Sequence, residues 1–235
     1  MDSLADRLNR VRERVAGASA RAGRDPASVL LVAISKGFPA DAVREAARLG
    51  VTDFGENRVQ EAEVKIPAVD PRPRWHLVGH LQTNKARRAV QLFDEIQSVD
   101  SVHLAEELDR RAAQERRVVP CLVEVNTSGE ESKFGVDPAA AEALLERCRG
   151  LRSLRVHGLM TIGPLEGGPA GARKSFRALA GLRDAAARHG LLGEPADLSM
   201  GMSDDFEVGI EEGATIVRVG TAIFGPRPPG APGVG

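Results

Sequence analysis

Eight short runs of strand character alternate with segments of helical period, and that alternation limits what this chain can fold into. The runs are VLLVAIS (29–35), VTDFG (51–55), WHLVGH (75–80), EIQSVD (95–100), VVPCLVEVN (118–126), LRVHGLMTI (154–162), ADLSMGMS (196–203) and TIVRVG (215–220). The first and fifth are apolar almost throughout, the mark of a strand covered on both faces. Helical stretches fill the intervals at 39–50, 56–66, 82–93, 101–117, 137–150, 172–190 and 203–213. Their ends carry the expected signals. Pro39 opens one and Gly50 stops it, Asp137 and Pro138 stand as N-cap and first helical residue, and Ser203 or Asp204 is placed to cap the last. A further helix leads the chain, with Leu4, Leu8, Val11, Val15 and Ala18 at helical spacing.

Parallel strands joined by helices either close into a barrel or lie in an open doubly wound sheet. Eight units in 235 residues suit the barrel. The open sheet would want GxGxxG after its first strand, and here that strand ends in ISKGF. The expected fold class is therefore α/β, a single (β/α)8 TIM barrel with an extra N-terminal helix. Residues 1–226 are expected to form one domain, with the leading helix inside 1–24, and the Pro/Gly-rich stretch 227–235 a disordered tail.

Composition removes several classes. Lys and Arg number 32 against 33 Asp and Glu, so no basic excess exists to hold nucleic acid. No run of 18 apolar residues offers a membrane span. The opening MDSLADRLNRVRERV carries acids and no apolar signal region, so a cytoplasmic protein is expected. Cys121 and Cys148 sit in apolar patterns with no CxxC and read as buried thiols. His76 and His80 read as core or rim contacts, and no metal site is expected. The chain has no Tyr, which excludes a phenolic acid or base within a single chain.

In a barrel the chemistry lies at the C-terminal ends of the strands. Lys36 ends the first strand, and only five of the basic residues are Lys. A partly desolvated lysine has a lowered pKa, and its free amine attacks carbonyls to form a Schiff base. SMGMSDD after the seventh strand supplies small residues and a helix start, whose N–H groups favour an anion. RVGT after the eighth adds two more N–H groups and the Thr221 hydroxyl, in the region where barrels bind phosphate. Strands one and eight are neighbours in a closed barrel, so Arg218 is expected to approach Lys36. A carbonyl-trapping lysine beside a phosphate cup describes a site for pyridoxal 5′-phosphate (PLP). Arg218 falls at the ring-nitrogen end, and because it can only donate, the nitrogen would stay unprotonated. Lys133, in ESKFG, reads as a solvated loop lysine.

Seven stretches resemble the YggS/PROSC family of pyridoxal phosphate homeostasis proteins. They are AISKGFP (33–39), FGENRVQE (54–61), WHLVGHLQTNK (75–85), VNTSGEESKFGV (125–136), HGLMTI (157–162), LSMGMSDDFEVGI (198–210) and TIVRVGTAIFG (215–225). They span nearly the whole chain in the family order. The resemblance implies a barrel like the N-terminal domain of alanine racemase, of PLP fold type III. It implies PLP held as an internal aldimine on Lys36, Asn57 near the ring hydroxyl and Arg218 at the ring nitrogen. At the phosphate it implies Ser203, Gly220 and Thr221, with the Met202 backbone a further contact and Ser199 the alternative serine. One departure stands after the lysine, where the family often has a polar pair such as Thr-Lys and this chain has Gly37–Phe38.

The function implied is intracellular PLP homeostasis without demonstrated turnover, and so without catalytic residues. A monomer is expected, with apo PLP-dependent enzymes as candidate recipients. The competing reading is a PLP-dependent amino-acid racemase or decarboxylase. Two-base racemisation needs an acid or base on each face of Cα. Lys36 serves one face. Alanine racemase uses a Tyr on the other, and His80 or Cys121 would have to substitute here.

Overall fold

A computed structural model describes residues 2–130 and 132–227. Of the expected disordered tail 227–235, all but Arg227 lies outside the described residues. Eight parallel strands close into a barrel in sequence order. They are β1 Leu30–Ile34, β2 Asp53–Glu56, β3 Arg74–Leu77, β4 Glu95–Val99, β5 Val119–Glu124, β6 Leu154–Met160, β7 Asp197–Ser199 and β8 Ile216–Val219. Closure is made by β1 on β8, with Val32 opposite Arg218. Helices follow each strand: α2 Ala40–Arg48, α3 Val59–Lys65, α4 Ala86–Leu92, α5 Val102–Gln114, α6 Ala141–Cys148, α7 Gly168–Arg188, α8 Phe206–Glu211 and α9 Thr221–Phe224. The last of these is one short turn that the sequence pattern did not announce.

Strand alternation splits the core in two. Odd-facing residues such as Phe54, Trp75, Leu77, Ile96 and Leu198 point outward and pack under the helices in one large cluster. Val32, Ile34, Val78, Leu122, Met160 and Ile216 form a small separate cluster inside the barrel. Gly55 keeps that interior open, since a Cβ there would stand 2.4 Å from Ile34 Cδ1.

The leading helix α1, Leu4–Arg21, starts at a capping box in which Ser3 and Asp6 satisfy each other's backbone N–H. The five residues read from the spacing are, together with Ser19, its buried face. Each large apolar side chain so buried contributes roughly 1.5–3 kcal/mol. The stripe faces α8 and α9, and Arg7 donates to the Ile223 and Phe224 carbonyls at 2.7 and 3.2 Å. Asp137 caps its turn as expected, through the Ala139 N–H at 2.8 Å. The cap of α8 differs from expectation. That helix begins only at Phe206, Asp205 is its N-cap, and neither Ser203 nor Asp204 caps it. The Ser203 hydroxyl is drawn instead to the loop after β8, as described below.

Candidate functional site

Lys36 follows β1 at the C-terminal mouth of the barrel. Burial pushes its pKa down. Arg227 and Arg218 add to that, against the pull of Glu61 and Glu56. Among the described residues its Nζ makes no hydrogen bond or ion pair, so the amine is uncommitted. The backbone on either side of it is held hard. Lys65 of α3 donates to the Ser35 carbonyl at 2.7 Å and to Glu56 at 2.5 Å, and the Ser35 hydroxyl gives Glu56 a second bond at 2.6 Å. Glu61, also of α3, accepts from the Gly37 N–H at 3.1 Å. Thus α3 grips the peptide before Lys36 and the peptide after it. Gly37 has φ of +75°, a left-handed conformation suited to glycine, and Phe38 packs against Phe224 in a tilted pair with ring centroids 5.1 Å apart. This gives the departure Gly37–Phe38 a structural sense: a tight turn followed by an aromatic anchor.

Arg218 is buried, and burial brings its pKa down to about 10 despite Glu124 and Asp205. Its Nη1 donates to Ser199 at 2.6 Å and its Nη2 to the Thr161 carbonyl at 2.7 Å. Ser199 in turn donates to Gln97 at 2.7 Å. The Ser199 hydroxyl is therefore engaged under Arg218, and of the two serines it is Ser203 that meets the cup.

The cup itself lies where β8 ends. The Gly220 and Ala222 N–H groups converge on Ser203 Oγ, at 3.3 and 3.2 Å. Two N–H groups converging on one oxygen also suit an anionic oxygen, which they would bind more strongly than a hydroxyl. Thr221 lies exposed between them, at the first position of α9. Met202 turns its N–H to Asp205 at 2.6 Å, and its side chain is 37% exposed, so that N–H is already satisfied. Gly201 has φ of +99°, and a Cβ there would stand 2.7 Å from Phe206 Cα, so the loop can pass close under α8. Asn57 follows β2 and its carbonyl packs onto Gly79, where a Cβ would come within 2.4 Å. Its side chain makes no hydrogen bond among the described residues.

Several groups at this mouth escaped the sequence reading. Glu124 ends β5, is buried, and keeps Oε2 without a partner among the described residues. Burial and nearby Asp100 push its pKa up to about 7, against Arg218. Lys65, Glu61 and Gln97 also went unmarked. A signal existed for Gln97, because EIQSVD places Glu95 and Gln97 at alternate positions of a buried strand. Lys133 corrects an expectation. Rather than solvated, its side chain is 13% exposed and donates to the Gly163 carbonyl at 2.5 Å. His76 is a core residue between Asp53 and Glu95, and His80 a rim residue, 3.1 Å from Asp100 and stacked on Phe134. Among the described residues no group of three or more potential ligands could hold a metal ion.

A closed parallel barrel with a free amine after its first strand and an N–H cup after its last defines a ligand-binding (β/α)8 barrel of the alanine racemase type. The alanine racemase N-terminal domain family matches residues 6–228. The chain belongs to the family of pyridoxal phosphate homeostasis proteins within it. It is 45% identical over 223 residues to the pyridoxal phosphate homeostasis protein of Aquifex aeolicus, covering 94% of this chain and 97% of that one. To the protein of that name in Pseudomonas aeruginosa it is 42% identical, over 99% of both chains. PipY of Synechococcus elongatus, solved with PLP bound, superposes with a TM-score of 0.83 at 39% identity, covering 95% of this chain and 100% of that one. An alanine racemase of Clostridium difficile shares the fold at 16% identity and a TM-score of 0.73, and this chain spans 58% of it.

Proposed function

We propose that this chain binds PLP through a Schiff base on Lys36 and holds it as part of intracellular PLP homeostasis, without turnover of an amino acid. The observation that carries this reading is the partly desolvated Lys36 amine, uncommitted among the described residues, at the same mouth as the N–H groups that converge on the Ser203 hydroxyl. The Lys36 amine would hold the cofactor's aldehyde as a Schiff base. PLP supplies the aldehyde and a dianionic phosphate, and the chain supplies the rest. Gly220, Thr221 and Ser203 receive the phosphate, Arg218 faces the ring nitrogen, and Asn57 lies toward the ring hydroxyl. Ser199 acts from beneath Arg218, and the Met202 N–H reaches a phosphate only on leaving Asp205.

The names of the relatives and the PLP bound in PipY support this reading. The absence of Tyr from the chain supports a non-catalytic role, since the second face of a bound amino acid lacks that acid. Two free buried thiols and the lack, among the described residues, of any helix long and apolar enough to cross a membrane support action in the cytoplasm. The proposal extends to a monomer that releases PLP to apo PLP-dependent enzymes.

Borohydride reduction of the PLP-loaded protein, followed by peptide mass mapping, tests the site. The adduct is expected on Lys36, and an adduct on Lys85 or Lys133 refutes the assignment. Incubation of the loaded protein with alanine in deuterated water tests the lack of turnover. Rapid Lys36-dependent exchange with inversion at Cα would show a racemase instead.

A further inference from the structure

Barrels of this class fill their interior with branched apolar side chains. Here a line of buried polar groups runs through it. Arg218 donates to Ser199 at 2.6 Å, Ser199 donates to Gln97 Oε1 at 2.7 Å, and Gln97 Nε2 donates to Glu95 at 3.0 Å. His76 closes the far end, 3.4 Å from Glu95 and 2.9 Å from Asp53. Ser199, Gln97 and His76 are 0% exposed, and Asp53, Glu95 and Arg218 no more than 4%. The Gln97–Ser199 bond joins β4 to β7, which are not neighbours in the barrel, so it crosses the interior. Burying such groups is costly unless each is hydrogen-bonded, and a plain barrel core would not need them.

The line also has a direction. Glu95 remains a carboxylate: burial works against it, but His76 and Gln97 hold its pKa below the ordinary value. A carboxylate only accepts, so the Gln97 amide must turn its NH2 toward Glu95. Its Oε1 then faces Ser199 and takes the hydroxyl proton, which leaves a lone pair of Ser199 Oγ for Arg218. Turning the amide over would break both bonds. His76 lies between two carboxylates, which raise its pKa to about 9 although burial opposes them. Its Nδ1 stands 3.4 Å from Glu95 and 3.1 Å from Gln97 Nε2, so the amide NH2 faces both His76 and Glu95. Among the described residues the hydrogen-bond partners of Arg218, the Ser199 hydroxyl and the Thr161 carbonyl, are neutral. They orient the guanidinium without neutralising it.

We propose that Gln97 is a positioning residue of the cofactor site, which through Ser199 fixes the plane of the Arg218 guanidinium against the pyridine nitrogen of bound PLP. This rests on the reading of Lys36 and Arg218 given above. A hydrogen bond weakens steeply as its angle falls toward 120°, so a guanidinium free to turn loses its hold on one ring nitrogen. The charge it presents there also sets the visible absorption band of the Lys36 Schiff base.

The test compares Gln97→Met, Gln97→Glu, Ser199→Ala and the Gln97→Met/Ser199→Ala double variant with the unchanged protein, each titrated with PLP. The readouts are the dissociation constant, the band position and the borohydride adduct. Gln97→Met keeps the volume but neither donor nor acceptor, and is expected to weaken PLP binding at least fivefold and shift the band. Gln97→Glu, protonated beside Glu95, donates to that carboxylate and accepts from Ser199 as the amide does, so it is expected to restore the band. A merely structural role would make this buried acid the worse variant of the two. The double variant is expected to be no weaker than Ser199→Ala within twofold, because both changes act through Arg218. An unchanged band and affinity in Gln97→Met, a band not restored by Gln97→Glu, or multiplying effects in the double variant would overturn the proposal. If Gln97→Met does not fold, Gln97→Glu and Ser199→Ala decide it by the same readouts. No adduct on Lys36 in the unchanged protein would overturn the cofactor reading and this proposal together, whereas a normal adduct with an indifferent Gln97 overturns the positioning role alone.

Discussion

Replacing Lys65 by Met should expose how firmly α3 holds the peptide that carries Lys36. The Lys65 side chain is 8% exposed, and among the described residues its acceptors are Glu56 and the Ser35 carbonyl. Methionine fills much the same volume but leaves the Glu56 carboxylate, itself 0% exposed, with only the Ser35 hydroxyl as donor among the described residues. Removing one partner of a buried ion pair costs about 3–5 kcal/mol, because the other charge stays behind unpaired. For a chain of this length, about 2–4 °C per kcal/mol puts the fall in Tm at roughly 6–20 °C at neutral pH. The loss should depend on pH. Burial already raises the Glu56 pKa, against Lys65 and Ser35, and without Lys65 it rises further. A carboxyl whose folded pKa lies above its unfolded value takes up a proton on folding, so stability falls as pH rises between the two values. The deficit is then full above the folded pKa. Toward pH 4 it shrinks to about 1 kcal/mol, the worth of the lost bond to the Ser35 carbonyl. Urea unfolding followed by circular dichroism at several pH values measures it. The Glu56→Gln/Lys65→Met double variant, with no charge left to strand, should recover most of the loss. A deficit under 1 kcal/mol at pH 7.5, or one that does not change with pH, refutes the reasoning.

Ser203→Ala and Thr221→Ala should each weaken PLP retention by about 10- to 100-fold, since a hydrogen bond to a charged group is worth roughly 1.5–3 kcal/mol. Titration of the apo-protein with PLP checks this, and unchanged affinity in the double variant places the cup elsewhere. Burial pushes the Cys121 thiol well up and the Cys148 thiol to about 11. The native protein should therefore resist Ellman's reagent at pH 8 and release two reactive thiols on denaturation. Stoichiometric labelling of the native protein within minutes would contradict that.

Much of this protein was legible in its sequence because its signals are local. Eight strand-like runs alternate with helical period, two of them apolar almost throughout as strands covered on both faces must be, and the eight close a barrel. The spacing of Leu4, Leu8, Val11, Val15 and Ala18 fixed the face of α1. Lys36, Ser203 and Gly220 were legible as candidates because each follows a strand, on the side where a barrel presents its chemistry. Tertiary structure alone decided what sits beneath them. Whether Ser199 or Ser203 meets the cup depends on which way each points, and a loop that bends at Gly201 hides that phase. Gln97 lies far along the chain from Ser199 and Arg218, and Lys65 grips Ser35 from a separate helix. No local pattern records such bonds. They exist only once the closed barrel brings distant strands face to face, where the lack of water obliges each buried polar group to find its partner.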